Sequence, residues 1–386
     1  MSATEHSWVE VDLKALDHNL QVFGDLIGPD QRTIICGVVK ADAYGHGAGA
    51  IAQRLVANGV ELLAVYDTRQ ARELMQSGYA GPILIMGVFD ELERGELLYR
   101  AAVTDRLDIT IHSLDQLEKV AAIGQSLGCR LRVHLFLDTG MSRGGLSDQQ
   151  FAKALPVVTG CRHLTLAGIA THMASSDDDP SFTEKQHACL QRVLHDHAAQ
   201  LDQHVAVHIA NTLTALRDRR YHCDMLRIGL GLYGFGEQLM EGGVSIDHVL
   251  PLKPIARWCS RVVHVRNFPR GAGVGYNQTC HLTRDSVLGI VPVGYADGYH
   301  LVLGNRAHVR LSDYSTDAAV MGSVNMDQIV IDLTDTPQIQ MGDEVELYSN
   351  DLAAKSSVPA LAALAQSNCY EMLTNIKPHI PRRYLR

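Results

Sequence analysis

The sequence predicts an α/β protein in which an N-terminal (β/α)8 barrel, of the TIM type, precedes a smaller domain rich in β-strands. Apolar runs alternate with segments of helical period about eight times before Gly236, which is the count of a closed parallel barrel. After Lys253 the pattern changes to short apolar runs separated by Gly, Pro, Asn and Asp. The 386 residues, of which 46% are apolar, are enough for two domains with a large core.

We expect the barrel to cover residues 12–245 and the β-rich domain to cover residues 246–386 together with residues 1–11. The opening run SWVEVDL has the composition of a strand, and we assign it to the second domain. An open doubly wound sheet would give a similar alternation. The glycine fingerprint GxGxxG of that fold is missing from the first turn, however.

The barrel strands are predicted from the runs TIICGVV, ELLAVYD, PILIMGV, LDITIH, RLRVHLFLD, LAGIATH, VAVHIAN and MLRIGLGLYG. Helices are predicted between them. In SLDQLEKVAAIG, apolar residues recur at helical spacing from Leu114 to Ala121. We expect a capping box of Ser113 and Gln116 to begin this helix and Gly124 to end it.

Composition excludes several classes of partner. A net charge of −9 disfavours nucleic acid and anionic membranes, because both require a basic face. The chain has neither a signal-peptide pattern at its start nor a run of about eighteen apolar residues, so we expect a cytoplasmic protein. Its eight cysteines lack CxxC spacing. His204 and His208 share a strand-like run, but no third ligand is evident and no metal site is predicted.

Reactive side chains are expected at the carboxyl ends of the barrel strands, where loops vary while the strands hold position. The residues at this rim are Lys40, Tyr44, Arg143, His172, Asn211, Thr212, Arg227, Gly229 and Leu230. A lysine beside other cations loses its proton more readily and can attack an aldehyde. Small and hydroxyl residues after the last two strands suit a phosphate. The combination indicates pyridoxal phosphate, although aldolases of the same architecture also use lysine and phosphate.

Nine motifs together resemble the alanine racemase family of barrel-fold pyridoxal-phosphate enzymes: VVKADAYGHGA, DTGMSRGG, THMASSDD, HIANT, MLRIGLGLYG, GVGYNQT, VGYADGY, GSVNMDQ and CYEM…PHIPRRY. They follow the order of the family across nearly the whole chain. The resemblance implies an isomerase that uses pyridoxal 5'-phosphate to interconvert L-alanine and D-alanine, with a role in D-alanine biosynthesis.

The resemblance also implies a role for each matching residue. Lys40 would hold the cofactor covalently and act as one catalytic base, and Tyr276, reaching in from the partner subunit of a homodimer, would act as the other. The remaining cofactor-binding positions are Tyr44, His172, Asn211, Thr212, Arg227, Gly229, Leu230 and Tyr370. The substrate-binding positions are Arg143, Tyr295, Met326 and Asp327.

The implied chemistry needs two bases, because racemisation removes the α-proton from one face and returns a proton to the other. Lysine ordinarily has a pKa of about 10.4, and nearby positive charge lowers it. Arg143 and Arg227 are the candidates for that charge. In the family the arginine at position 227 faces the ring nitrogen of the cofactor. Since an arginine does not transfer its proton, Arg227 is expected to limit side reactions such as transamination.

Three departures from the family leave the substrate range open. Phe136 stands where many members carry a carbamylated lysine that supports the active-site arginine, so Arg143 is expected to rely on a bound chloride or another side chain. Asn325 replaces a frequent cysteine, and two glycines follow Arg143 where a bulkier residue is usual. A racemase that also accepts serine or other amino acids is therefore an alternative. A barrel-fold decarboxylase would need an acidic partner for the ring nitrogen, and a cofactor carrier would lack the β-rich domain.

Overall fold

A computed structural model of the protein describes residues 6–29, 32–87, 89, 91–236, 251–311 and 316–386. The chain forms two compact units. The barrel unit comprises Asp17–Ala43 and Ala48–Leu252, and the sheet unit comprises Met1–Leu16, Tyr44–Gly47 and Lys253–Arg386. The predicted boundary between residues 245 and 246 lies outside the described residues.

The elements of the first part of the chain are β1 (Ser7–Asp12), α1 (Leu13–Ile27), β2 (Ile34–Val38), α2 (Lys40–Gly45), α3 (Ala48–Ala57), β3 (Leu62–Val65), α4 (Thr68–Gln76), β4 (Ile83–Ile85), α5 (Leu97–Ala102), β5 (Leu107–Ile111), α6 (Leu114–Leu127), β6 (Leu131–Phe136), α7 (Asp148–Gly160), β7 (Leu164–Ala170), α8 (Pro180–Asp196), β8 (Ala206–His208), α9 (Thr212–Arg217) and β9 (Met225–Ile228). The later elements are β10 (Ala256–Arg261), β11 (His264–Phe268), β12 (Gly273–Val274), β13 (Cys280–His281), β14 (Ser286–Val291), β15 (His308–Leu311), β16 (Asp317–Met321), β17 (Ile329–Asp332), β18 (Glu344–Tyr348), α10 (Val358–Ala365), α11 (Cys369–Thr374) and β19 (Arg382–Leu385). None of the described helices combines the length and apolar character needed to cross a bilayer.

The barrel unit contains the eight parallel strands that the sequence predicts. Their order is β8-β7-β6-β5-β4-β3-β2-β9, so seven of the eight follow one another along the chain. Backbone hydrogen bonds of 2.9 Å from Asp224 N to Val207 O and from Arg227 N to Ala210 O join the two ends of this sheet. All residues of β4 and β5 are buried, as expected for parallel strands covered on both faces.

The segment α2, directly after the first barrel strand, is a left-handed helical turn. Residues 41–44 all have φ between 51° and 55°, and none of the four is glycine. This conformation disfavours each L-residue by roughly 1–2 kcal/mol. The turn is held by a bond from Ala43 N to Val39 O and by Asp42, whose Oδ1 accepts from Ala48 N at 2.7 Å. The strained turn begins directly after Lys40, so the structure fixes the backbone on the carboxyl side of that residue.

Helix α6 begins as predicted but ends later. The hydroxyl of Ser113 accepts from Gln116 N at 3.1 Å, whereas the Gln116 side chain accepts from His112 N and not from the cap residue. The predicted stop at Gly124 is wrong, because the helix continues to Leu127 and ends at Gly128 in the left-handed conformation. A Cβ at Gly124 would lie 3.0 Å from the carbonyl oxygen of His163, so close packing accounts for the glycine.

The sheet unit is built on nine strands in the order β11-β14-β17-β16-β15-β18-β10-β1-β19. The N-terminal strand β1 lies inside this sheet, antiparallel to β10 and parallel to β19. The two-stranded ribbon of β12 and β13 is separate, and the loop between its strands carries Tyr276. The prediction of a β-rich region after the barrel is confirmed.

Candidate active site

A cavity of about 610 Å³ lies at the carboxyl ends of the barrel strands. Six of its basic and histidine side chains come from the ends of six different strands or from the loops that follow them: Lys40, His112, Arg143, His172, His208 and Arg227. Among the described residues, Lys40, Arg143 and Arg227 form no ion pair with a carboxylate. Three unpaired cations around one cavity are suited to an anionic ligand.

Lys40 is partly buried, two residues beyond β2. Burial lowers the pKa of its amine, and the positive charges of Arg143 and Arg227 lower it further. Both effects disfavour the charged ammonium form. Lys40 therefore has the environment of a lysine that acts as a nucleophile or a base.

Arg227 is buried in β9, and the protein holds both of its terminal nitrogens. Nη1 lies 2.6 Å from Nδ1 of His208 and donates to the His208 carbonyl, and Nη2 donates to the carbonyl of Thr171 at 2.8 Å. Nε has no hydrogen-bond partner among the described residues. Burial lowers the pKa of Arg227 to about 10, so the guanidinium stays charged at neutral pH. One oriented N–H thus remains for a ligand in the cavity.

His172 and Asn211 meet at the ends of β7 and β8. Asn211 caps α9, because its Oδ1 accepts from Thr214 N at 3.0 Å, and this orients the amide so that Nδ2 lies 3.3 Å from Nε2 of His172. On the other side, Nδ1 of His172 lies 3.3 Å from Nη2 of Arg227. Burial, and then the charges of Arg227, Arg143 and Lys40, hold the pKa of His172 well below its usual value. The imidazole is therefore neutral at physiological pH.

Thr212 packs against the turn that contains Gly229 and Leu230. Its hydroxyl accepts from Gly231 N at 3.1 Å. A Cβ at Gly231 would lie 2.5 Å from the ring of Phe23 and 2.8 Å from Cγ2 of Thr212, so the close approach requires glycine. The structure therefore brings these predicted phosphate-side residues together.

Tyr44 and Tyr370 are neighbours within the sheet unit. Their ring centroids are 5.8 Å apart. Burial of Tyr44, and then the proximity of Tyr370, raises the pKa of the Tyr44 hydroxyl above its usual value. Tyr44 is therefore a neutral hydroxyl that can donate a hydrogen bond.

The other predicted residues line a second cavity, of about 1000 Å³, in the sheet unit. Tyr276, Tyr295, Met326 and Asp327 all contribute to it. Tyr276 is 73% exposed. A Cβ at Gly294 would lie 2.2 Å from the carbonyl oxygen of Met326, which explains the glycine that precedes Tyr295.

Arg143 is exposed, and its guanidinium has no hydrogen bond or ion pair among the described residues. Phe136 packs on the ring of His112, with centroids 4.7 Å apart. Nε2 of His112 lies 2.7 Å from the carbonyl of Met86, while its Nδ1 is buried without a partner among the described residues. Neither His112 nor His208 was predicted as a cofactor or substrate residue. The sequence signal that could have identified these two residues is a histidine within or directly after an apolar strand run.

Fold and site together define a (β/α)8-barrel enzyme with a lysine–arginine site at the strand ends, followed by a β-sheet unit. The family model for the alanine racemase N-terminal domain matches residues 11–236, and the model for the C-terminal domain matches residues 255–384. The chain belongs to the alanine racemase family, whose members are isomerases.

Known relatives resemble the chain over its whole length. The alanine racemase of Desulfovibrio desulfuricans is 33% identical, over 98% of each chain. That of Methylacidiphilum infernorum is 32% identical, over 99% of this chain and 93% of the relative. The crystal structure of alanine racemase from D-cycloserine-producing Streptomyces lavendulae superposes with a TM-score of 0.88 at 25% identity, covering 100% of this chain and 98% of that one.

Proposed function

We propose that this chain is a pyridoxal-phosphate-dependent racemase that interconverts L-alanine and D-alanine. The observation that carries the proposal is the pairing, around one barrel cavity, of Lys40 with a lowered amine pKa and Arg227 with one unpartnered N–H. The identity of the substrate, alanine, is inferred from the family and from the names of the relatives.

The residues present fit pyridoxal phosphate. The cofactor is an anionic aldehyde, and the cavity offers the Lys40 amine, two arginines without carboxylate partners and neutral histidines. Lys40 would bind the aldehyde carbon, and Arg227 would donate to the ring nitrogen. The further cofactor-binding positions are Tyr44, His172, Asn211, Thr212, Gly229, Leu230 and Tyr370. When bound, the cofactor supplies an electron-withdrawing ring that stabilises negative charge on the substrate α-carbon.

Two residues of the chain would move the protons. Lys40 serves as the base on one face of the substrate, since burial and two arginines favour its neutral amine. Tyr276 of the partner subunit serves on the opposite face. Arg227 donates a hydrogen bond and keeps its proton, because its pKa of about 10 leaves it charged at neutral pH. Arg143, Tyr295, Met326 and Asp327 would bind the substrate.

A homodimer with shared sites follows from this assignment. Tyr276 is 73% exposed, and it lies in a loop where Gly275, Asn277 and Gln278 all have positive φ. Such backbone strain is found preferentially at functional sites. The loop therefore presents the phenol outward, as a base donated to another subunit requires.

The activity is tested by circular dichroism of L-alanine incubated with the purified holoenzyme, together with a carbon dioxide assay. We expect loss of optical activity without gas release. Gas release would instead identify a decarboxylase, and neither change would indicate a cofactor carrier. Borohydride reduction followed by peptide mass spectrometry should find the cofactor on Lys40 and none in Lys40→Ala.

Subunit mixing tests the shared site. Lys40→Ala and Tyr276→Phe should each be inactive alone. After denaturation and refolding of an equal mixture, about half of the dimers are mixed and each holds one intact site, so about a quarter of the wild-type activity should return. No recovery, with mixed dimers demonstrated by mass spectrometry, would contradict the assignment of Tyr276 to the partner's site.

A racemase that also accepts serine is the second candidate, and one observation favours it. A Cβ at Gly144 would lie 3.5 Å from Nδ1 of His112, so the glycine leaves this acceptor facing the cavity. Gly144→Leu should fill the space and lower kcat/KM for L-serine more than for L-alanine. An unchanged ratio would remove the support for this candidate.

Cytoplasmic localisation and a role in D-alanine biosynthesis stay predictions.

A further inference from the structure

We infer that Asp108 and His134 are positioning residues of the racemase site, which act through His208 to hold the Arg227 guanidinium oriented and charged. The inference rests on the proposed function. Neither side chain lines one of the two cavities, and neither lies in the nine motifs that resemble the alanine racemase family.

The four side chains form a continuous buried chain of polar contacts. Nη1 of Arg227 lies 2.6 Å from Nδ1 of His208, and Nε2 of His208 lies 2.8 Å from Nδ1 of His134. Nε2 of His134 is 3.3 Å from Oδ2 of Asp108. The four residues are between 1% and 7% exposed. The far end of the chain is an ion pair of 2.5 Å between Asp108 and Arg132, whose side chain is one third exposed.

Arginine at one end fixes the position of every proton in the chain. Because Arg227 can only donate, Nδ1 of His208 must accept. A neutral imidazole has a single N–H, so the proton of His208 lies on Nε2 and is donated to Nδ1 of His134. His134 then carries its proton on Nε2, facing Asp108. This last contact lacks the alignment of a hydrogen bond, but it places the N–H beside a carboxylate.

Neutral histidines are consistent with this direction. Burial and then the charge of Arg227 keep the pKa of His208 well below its usual value. Burial alone would raise the pKa of Asp108, but the Arg132 guanidinium and the neighbouring N–H of His134 outweigh it and lower the pKa. The chain therefore ends on a carboxylate that is ionised at neutral pH.

A glycine in the intervening strand makes the chain possible. His134 and His208 lie on β6 and β8, with β7 between them, and Gly168 of β7 pairs with His134. A Cβ at Gly168 would lie 2.3 Å from Nδ1 of His134, so only glycine lets the two rings meet across the strand.

The negative end of the chain matters because Arg227 has no carboxylate partner of its own. Among the described residues, the titratable groups that face it are Cys36, Lys40, Arg143, His172, His208 and Cys223. An electron-rich His208 Nδ1, polarised by the neighbouring His134 and Asp108, strengthens the bond that orients Nη1. The same polarisation favours the charged guanidinium.

Three variants test this chain of polar contacts. Asp108→Asn removes the charge with little change of shape, and His134→Leu breaks the chain. His134→Gln can still accept from His208 and donate to Asp108, so it is the conservative rescue. Arg132→Lys is the matched control, since it removes the guanidinium contact of Asp108 but keeps a positive charge beside that carboxylate.

We expect Asp108→Asn and His134→Leu to lower kcat for racemisation about tenfold, which corresponds to about 1.4 kcal/mol, with KM changed less than about twofold. His134→Gln should retain most of the activity. Arg132→Lys should match the wild type in kcat and KM.

A readout independent of activity is the 15N NMR of the histidine side chains in the cofactor-free protein. In the wild type and in Arg132→Lys, His208 and His134 should both carry the proton on Nε2, and this pattern should be lost for His208 in His134→Leu. Wild-type kinetics in both disruptive variants, or a His208 proton on Nδ1 in the wild type, would overturn the inference. If the wild type did not racemise alanine, the proposed function would fail. The NMR result would still decide whether the chain of polar contacts from Arg227 to Asp108 exists.

Discussion

Mild acid should destabilise the barrel unit through two buried histidines, His172 and His208. Burial is the main cause of the low pKa of each, and nearby arginine charge adds to it. In the unfolded chain both would titrate near the ordinary value of about 6.5. As the pH falls below 6.5, the unfolded state therefore binds protons that the folded state does not bind. The resulting stability is complete above the unfolded pKa and is lost progressively as the pH falls toward the folded pKa.

The magnitude follows from the titration of the unfolded chain. At pH 5.5, one unit below the unfolded pKa, each histidine that stays neutral in the folded state lowers the free energy of unfolding by RT ln 11, about 1.4 kcal/mol. The two together lower it by about 2.8 kcal/mol. This is a large part of the typical 5–15 kcal/mol that stabilises a folded domain.

Guanidinium denaturation of the cofactor-free protein at pH 7.5 and 5.5, followed by far-UV circular dichroism, measures the effect. The variant His208→Gln should lose about 1.4 kcal/mol less than the wild type between the two pH values. His204→Gln is the control, because that side chain is exposed in the segment just before β8. The contributions of the other titrating groups to the pH dependence are the same in the variant and the wild type, so they cancel in this comparison. An equal pH dependence in His208→Gln and the wild type would show that His208 is not held neutral.

Three further perturbations have defined outcomes. Gly168→Ala should lower the free energy of unfolding by about 1–3 kcal/mol in chemical denaturation, because its Cβ would lie 2.3 Å from His134. Gly231→Ala should cause a similar loss through the Phe23 ring and should also weaken pyridoxal phosphate binding in equilibrium dialysis, and an unchanged affinity would separate this turn from the phosphate. Arg227→Glu should raise pyruvate formation relative to racemisation, since an acid can protonate the ring nitrogen, and an unchanged product ratio would contradict the role given to Arg227.

The barrel was predictable because its signals are local. Each strand is a short apolar run, and the predicted rim residues follow those runs directly, so strand count and chain order placed Lys40, His172 and Arg227 at one end of the barrel. The error at Gly124 has the opposite origin. The missing side chain of that glycine permits a close contact with His163, which lies 39 positions later. No local pattern distinguishes such a glycine from one that ends a helix.

The contacts among Asp108, His134 and His208 could not be predicted from the sequence for the same reason. Each residue is a polar side chain within an apolar strand, which indicates burial with a partner but does not say which partner. The pairing depends on the register of three strands and on the missing side chain at Gly168. A single glycine in LAGIATH carries no sign that two rings meet across it.

The departures around Arg143 form one structural unit. The Phe136 ring packs on His112, and a Cβ at Gly145 would lie 2.9 Å from Cδ1 of Phe136, so the position of the aromatic ring requires the glycine. Arg143 is positioned by its loop, in which Oδ1 of Asp138 accepts from the backbone N–H of residues 140 and 142 at 3.0 Å. A lysine placed at position 136 would remove the aromatic packing on His112, although Asp138 would still hold the loop. In the described residues, the backbone of this loop therefore positions the arginine, and no side chain bonds to its guanidinium.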